Sequence, residues 1–199
     1  YGSRQPFGYF ECAACGTLQI ETVPDDLARH YPAGYYSLDG GLPKNPSWKR
    51  RLAAGWAYSR DGGLLGWACH ALKPNAEMRQ MGTLGIAKDD AILDVGCGRG
   101  ARVARLRQFG FSRADGIDPH LDADVQMDGR TLARRARIDE VRGLYRLVMF
   151  HHSLEHVPDP RAALVAALGL LAKDGRVLVR VPTCSSTAWE TYGTDWVQL

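Results

Sequence analysis

Ile92-Leu93-Asp94-Val95-Gly96-Cys97-Gly98-Arg99-Gly100 decides how the rest of this chain is read. Ile92, Leu93 and Val95 favour a strand, Asp94 interrupts them with a carboxylate, and three glycines follow at every second position. The pattern predicts a buried strand over residues 91–95 ending in a turn where backbone approaches a ligand closely, because glycine leaves that space and accepts positive φ. The stretch is a cofactor cradle.

Downstream of Asp90 the sequence alternates between strand-like and helix-like segments, which implies a parallel sheet wrapped by helices. A helix over residues 101–108 follows the glycine turn, with Val103 and Leu106 inward, Arg102, Arg105 and Arg107 toward water, and Gly110 as its stop. A second strand over 112–118 closes in Gly116-Ile117-Asp118-Pro119. The stretch 121–140 is charge-rich, with a third strand near 131–135. Residues 145–150 read as a fourth, buried strand. Asp159-Pro160 opens a helix whose apolar stripe is Leu164, Leu168 and Leu171 and whose stop is Asp174-Gly175, and residues 176–181 form a fifth strand that Pro182 ends.

Residues 1–40 differ in texture. They are aromatic (Phe7, Tyr9, Phe10, Tyr31, Tyr35, Tyr36), without long periodic stretches, and read as a small separate module. Two short strands flank Cys12-Ala13-Ala14-Cys15-Gly16. Two thiols two residues apart with a following glycine make half of a zinc ribbon, so Cys12 and Cys15 are candidate metal ligands, the others being expected upstream of Tyr1. The alternative is a hairpin with two ordinary thiols. A short helix is expected over 25–29. Residues 41–88 read as a helical cover, with Ser47 as a cap and Trp48, Leu52 and Trp56 on one side. Residues 89–199 are the cofactor-binding α/β domain.

Composition bounds the function. The chain has 199 residues, 45% hydrophobic and 24% charged, enough for one α/β core and an appendage. No apolar run approaches the ~20 residues of a membrane span, and no signal peptide opens the chain, so no membrane partner and a cytoplasmic location are expected. Five cysteines, an odd number, do not suggest a disulfide framework. A net charge of +3 is too mild for a polyanion binder, and Lys49-Arg50-Arg51 reads as a solvated helix face, so nucleic acid is disfavoured. The chain begins at Tyr1 without a methionine and reads as a fragment. It assigns no oligomeric state.

Which cofactor the cradle takes turns on Asp94. The glycines can be forced onto a dinucleotide fingerprint if Ala101 replaces the last glycine, which keeps an NAD(P)-dependent oxidoreductase as an alternative. Asp94, two residues before the first glycine, would however oppose a diphosphate at close range and welcome a cation. The glycine spacing also ends one residue early, as suits an amino-acid-plus-nucleoside ligand without phosphates. Asp118 stands where a doubly wound nucleotide-binding unit places a carboxylate for the ribose hydroxyls.

Asp94 to Gly100, Asp118 and the segment Phe150-His151-His152-Ser153-Leu154-Glu155-His156-Val157-Pro158-Asp159-Pro160 together resemble a class I S-adenosylmethionine-dependent methyltransferase over roughly residues 88–183. The amino-terminal Cys-x-x-Cys module is similar to that of a bacterial subgroup with a zinc-ribbon-like extension. The resemblance implies a Rossmann-like α/β sheet of order 3-2-1-4-5, with strands 6 and 7 missing after Pro182. It implies S-adenosylmethionine as cofactor, with structural zinc as a second candidate, and a small-molecule methyl acceptor, a sugar or polysaccharide precursor included, with O-methylation favoured. Gly96, Cys97, Gly98 and Gly100 would admit the methionine portion, Asp94 its ammonium and Asp118 the ribose hydroxyls. Pro119 and His151 would complete the pocket. Asp139, the only counterpart to an adenine-binding acid, reads as a surface charge. His152 and His156 are candidate bases for a hydroxyl acceptor, against the reading that they anchor loop backbone. Glu155 reads as a loop-anchoring carboxylate and Cys97 as a small turn residue. A non-catalytic member binding a ligand or RNA is the third reading.

Overall fold

The computed structural model describes residues 7–24 and 41–193. The helix expected over 25–29, with Tyr31, Tyr35 and Tyr36, lies outside them. The first element is a two-stranded antiparallel hairpin of β1 (Tyr9–Glu11) and β2 (Leu18–Ile20). Its turn closes through the Gly16 amide to the Cys12 carbonyl at 2.8 Å, with Gly16 at φ 70°.

Three helices follow: α1 (Trp48–Ser59), α2 (Gly63–Leu72) and α3 (Ala76–Thr83). Ser47 caps α1 by accepting the Arg50 amide, and Asn75 caps α3 by accepting the Met78 amide at 3.0 Å. Small residues let these helices approach closely. Ala53, Ala54 and Ala57 are buried on α1, and a side chain at Gly82 would overlap the Tyr58 backbone. The Tyr58 hydroxyl donates to the Ile86 carbonyl at 2.8 Å, and its ring meets Phe111 edge-on at 5.6 Å, which ties the helices to the sheet domain.

The sheet contains β3 (Ile92–Val95), β4 (Ala114–Ile117), β5 (Val125–Met127), β6 (Arg130–Arg134), β7 (Tyr145–His151) and β8 (Leu171–Arg180), in the order β5-β6-β4-β3-β7-β8. Its parallel part, β6-β4-β3-β7-β8, has the expected 3-2-1-4-5 order of a Rossmann-like fold. β3 is buried at every residue because strands flank both its edges and apolar side chains cover both faces. α4 (Ala101–Gln108) packs Val103, Ala104 and Leu106 onto one core, while α5 (Pro160–Gly169) packs Ala163 and Ala167 onto the other. A last helix, α6, spans Thr187–Tyr192. Among the described residues no strand follows β8 and no helix is long and apolar enough to cross a membrane.

Three expectations are corrected. α5 ends at Gly169, and Asp174-Gly175 instead forms a bulge inside β8, where Leu171 pairs with Tyr145 but Arg176 already pairs with Leu147. Asp174 takes φ 59° there, and a side chain at Gly175 would crowd the Ala172 and Tyr145 carbonyls. The apolar stripe shifts accordingly, and Leu168 is exposed. Within 121–140, Asp128-Gly129 at φ 52° and 72° turns an antiparallel hairpin between β5 and β6, adding an edge strand. Finally, α4's arginines are not all solvated. Arg107 binds Asp115 and the Ala114 and Thr131 carbonyls, and Arg102 turns inward.

Phe111, fully buried where the helices meet the sheet, tests this packing. Phe111→Ala is expected to lower unfolding free energy in urea by about 3–5 kcal/mol, from lost transfer energy plus a residual cavity.

Candidate functional site

The carboxyl ends of β3, β4 and β7 meet at one edge of the sheet, on either side of the point where the crossovers reverse direction. That edge gathers the sequence-predicted residues Asp94, Gly96, Cys97, Gly98, Gly100, Asp118, Pro119, His151, His152 and His156.

The glycine turn is held from below. The amides of Gly96 and Cys97 both donate to the Ile117 carbonyl, at 2.8 and 3.1 Å, and Gly96, Gly98 and Gly100 all have positive φ, at 72°, 54° and 81°. At Gly96 a second constraint acts, since a Cβ there would overlap the Ser153 side chain. Ser153, which sequence reading passed over, is buried and donates from Oγ to the Val95 carbonyl at 2.6 Å. It clamps the loop after β7 to the end of β3. No periodicity marks it, because its role depends on a contact across 58 residues.

Asp94 and Asp118 are the two buried carboxylates of the site, at 3% and 7% exposure. They differ in what they bind. Asp118 accepts the Gly98 amide on Oδ2 at 2.8 Å and the His120 amide on Oδ1 at 2.9 Å, which fixes it against the turn and leaves a lone pair on each oxygen. Asp94 Oδ1 is buried with no hydrogen-bond partner. Burial pushes the Asp94 carboxyl up to about 7, with Arg102 and Arg105 pulling it down and Glu77 and Asp118 opposing them. Cys97 is half-buried. Its Sγ fills the space that a side chain at Gly116 would take, and burial holds the thiol well above its usual range, in its neutral form.

Arg102, in the first turn of α4, bridges Glu77 of α3 at 2.5 Å and lies 2.9 and 2.8 Å from the two ring nitrogens of His151. Glu77 also reaches Arg105 at 3.6 Å. The helical cover is therefore joined to the site by ion pairs. Burial, Arg102 and Arg180 lower His151 to about 4, so its ring is neutral at pH 7. Its ring meets that of His152 edge-on at 4.8 Å.

His152 stands just beyond β7 at φ 56°, a left-handed conformation that L residues seldom take. Its amide donates to the Arg180 carbonyl at 2.8 Å, which fixes the backbone while the ring stays partly exposed. A 3₁₀ turn, Leu154–His156, then presents His156. Burial lowers both rings, aided by Arg180 and Arg102 at His152 and by His152 and His120 at His156, so both favour the neutral form that can accept a proton. Pro119 lies exposed between Asp118 and His120 at the crevice rim. Asp139 lies away from this set, exposed in a 3₁₀ turn and bound by Arg137, whose hydrogen bond holds its carboxyl low.

Zinc finds no support among the described residues. Among the described residues no group of three or more His, Cys, Asp or Glu side chains is placed to hold a metal ion. Cys15 bonds instead to Thr17 Oγ1 at 3.2 Å, and Cys184 donates to the Gly16 carbonyl at 3.0 Å, docking the hairpin turn on the loop after β8.

Relatives match about half of the chain. The chain is 33% identical over 118 residues to a ubiquinone biosynthesis O-methyltransferase of Bordetella parapertussis, covering 54% of this chain and 48% of that protein. It is 31% identical over 99 residues to the protein of that name from Pseudomonas paraeruginosa, covering 44% and 42%, and 30% identical over 108 residues to that of Pectobacterium atrosepticum, covering 49% and 45%. The chain thus spans about half the length of the curated relatives it matches. A family model described as a methyltransferase domain matches residues 63–199, well over half of the sequence, and the protein belongs to that family.

Proposed function

We propose that the protein transfers a methyl group from S-adenosylmethionine to a hydroxyl oxygen of a small molecule. The observation that carries this reading is the unpartnered, buried Asp94 Oδ1 beside a turn of three positive-φ glycines. A buried carboxylate in that state suits a cationic ligand and repels a diphosphate, which weighs against the dinucleotide alternative. The O-methyltransferase names of the relatives support oxygen as the acceptor atom. A sugar or polysaccharide precursor is the acceptor class suggested by the sequence resemblance.

When bound, the cofactor would supply a sulfonium-activated methyl group, open to in-line attack by an acceptor oxygen with the thioether as leaving group. Asp94 would hold the ammonium, and Arg102, facing the same floor, offers a positive charge to the carboxylate. Asp118 has lone pairs for both ribose hydroxyls. The Gly96–Gly100 turn lets the ligand approach backbone, and Ser153 keeps the loop after β7 against it. His152 or His156, neutral at pH 7, would take the hydroxyl proton as the new oxygen–carbon bond forms. Fixing both partners in a closed crevice supplies much of the rate by itself, with effective molarities of order 10⁵–10⁸ M.

The test is calorimetric titration with S-adenosylhomocysteine and, separately, NAD. The former is expected to bind, with affinity reduced at least tenfold by Asp94→Asn and by Asp118→Ala. Binding of NAD alone would establish the oxidoreductase reading instead.

Affinity should also depend on pH. Only ionised Asp94 pairs with the ammonium, so between pH 6 and 8, across its value of about 7, S-adenosylhomocysteine affinity is expected to rise about tenfold in the wild type. In Asp94→Asn this rise should be absent.

Stability runs the other way. In the unliganded fold the Asp94 carboxyl keeps its proton to about 7, whereas unfolded chains lose it near 3.8. Its stabilising contribution is therefore complete below the unfolded value and is lost as pH rises through the folded one. Asp94→Asn, which resembles the protonated acid, is expected to stabilise the unliganded protein at pH 8 by about 1–3 kcal/mol in urea unfolding while weakening ligand binding.

A further inference from the structure

Glu155 is half-buried in the 3₁₀ turn between the two candidate bases, and its two carboxylate oxygens are sealed from solvent without a hydrogen-bond partner. Two orphaned oxygens on one side chain are costly to bury, and they do not anchor the loop, which is held instead by Ser153 and by the His152 amide. What lies within reach is His152. Its Nδ1 is 3.8 Å from Glu155 Oε1, three residues along the chain. That is longer than a hydrogen bond, as catalytic contacts often are before ligand binding tightens them.

We propose that Glu155 is the positioning residue of His152, accepting the Nδ1 hydrogen so that Nε2 is left bare to receive the acceptor's proton. The inference rests on the methyl-transfer reading for its consequence, though the contact itself does not. In the step it serves, an acceptor oxygen–methyl bond forms, the methyl–sulfur bond breaks with its electron pair going to sulfur, and the hydroxyl proton moves to Nε2. Glu155 stays ionised and stabilises the imidazolium that results, the role a buried carboxylate plays behind a catalytic histidine. The left-handed backbone at His152 fits a residue whose ring direction matters more than its local comfort.

The charges facing His152 otherwise disfavour its imidazolium. Arg102 comes from α4, Arg180 from the end of β8, and His151 from the end of β7, while His156, in the same turn as Glu155, is itself under the field of His152 and His120. Glu155 is the carboxylate paired with this ring. Burial raises Glu155, and a donated N–H from His152 would restore its preference for the charged form.

Nitrogen-15 NMR of the histidine rings tests the contact without an identified acceptor. Spectra of the full chain are recorded against pH with and without S-adenosylhomocysteine, His152 being assigned by the signal lost in His152→Gln. The expected result is an Nδ1–H tautomer at His152, strengthened by S-adenosylhomocysteine. Glu155→Gln should lower the His152 pKa by about one unit, a tenfold loss of proton affinity, and Glu155→Asp should restore part of it. An Nε2–H tautomer in the wild type overturns the proposal, and so does a His152 titration unchanged in a folded Glu155→Gln. If that variant does not fold, the wild-type tautomer decides alone. Failure of the wild type to bind S-adenosylhomocysteine would remove the methyl-transfer reading, while the unliganded spectra still decide whether Glu155 holds His152.

Discussion

A carboxylate enclosed at the centre of a parallel sheet, with one oxygen lacking a partner, is the constraint that organises this molecule. Asp94 occupies the third position of a strand whose neighbours on both sides are apolar and buried. A chain selected for stability alone would place another aliphatic residue there, because burying a charge without a partner costs several kcal/mol. The sheet accommodates Asp94 by letting it take up a proton and by aiming Arg102 and Arg105 toward it from α4. Glu77, which binds both arginines, limits how much relief they give. The site is thereby left electrostatically unfinished.

Everything else at the edge of the sheet follows from keeping that position approachable. Gly96 leaves the space that Ser153 fills, and Ser153 reaches across from the loop after β7 to hold that loop against the end of β3. Asp118 is bound to the turn by the Gly98 amide, so the two acids are fixed relative to one another through backbone. Arg102 extends the arrangement to the helical cover, since Glu77 lies on α3 and His151 at the end of β7. A movement of α3 would therefore change the field at Asp94 and at the histidine loop together.

The sheet and the glycine turn could be read from sequence because their signals are local. A run such as Ile92 to Gly100 declares strand, exit and close approach within nine residues, and Asp159-Pro160 declares a helix start in two. The errors came from interactions that sequence spacing does not encode. Asp174-Gly175 carries the chemistry of a stop, yet tertiary pairing with β7 drew residues 171–175 into β8 and turned the stop into a bulge. Asp128-Gly129 did carry a hairpin signal, masked by the surrounding charges. Arg102 and Arg107 looked solvated because helical periodicity sorts residues by face and does not reveal a carboxylate or carbonyl arriving from another element.

The two sides of the crevice solve opposite electrostatic problems. On the floor, a carboxyl sealed into the sheet holds its proton up to about 7, and an arriving cation favours its ionised form. On the β7 side, burial and the guanidinium groups of Arg102 and Arg180 keep histidine rings neutral, so a proton arriving there meets an environment that resists it. A base of that kind takes a proton readily only if a carboxylate waits behind it, and Glu155 occupies that position with its hydrogen-bonding capacity unused. Arg102 couples the two problems, because it lies against His151 while its charge acts on Asp94. A ligand whose positive end neutralises Asp94 and whose negative end engages Arg102 would loosen the hold of that guanidinium on the histidine side and so raise the basicity of the rings there.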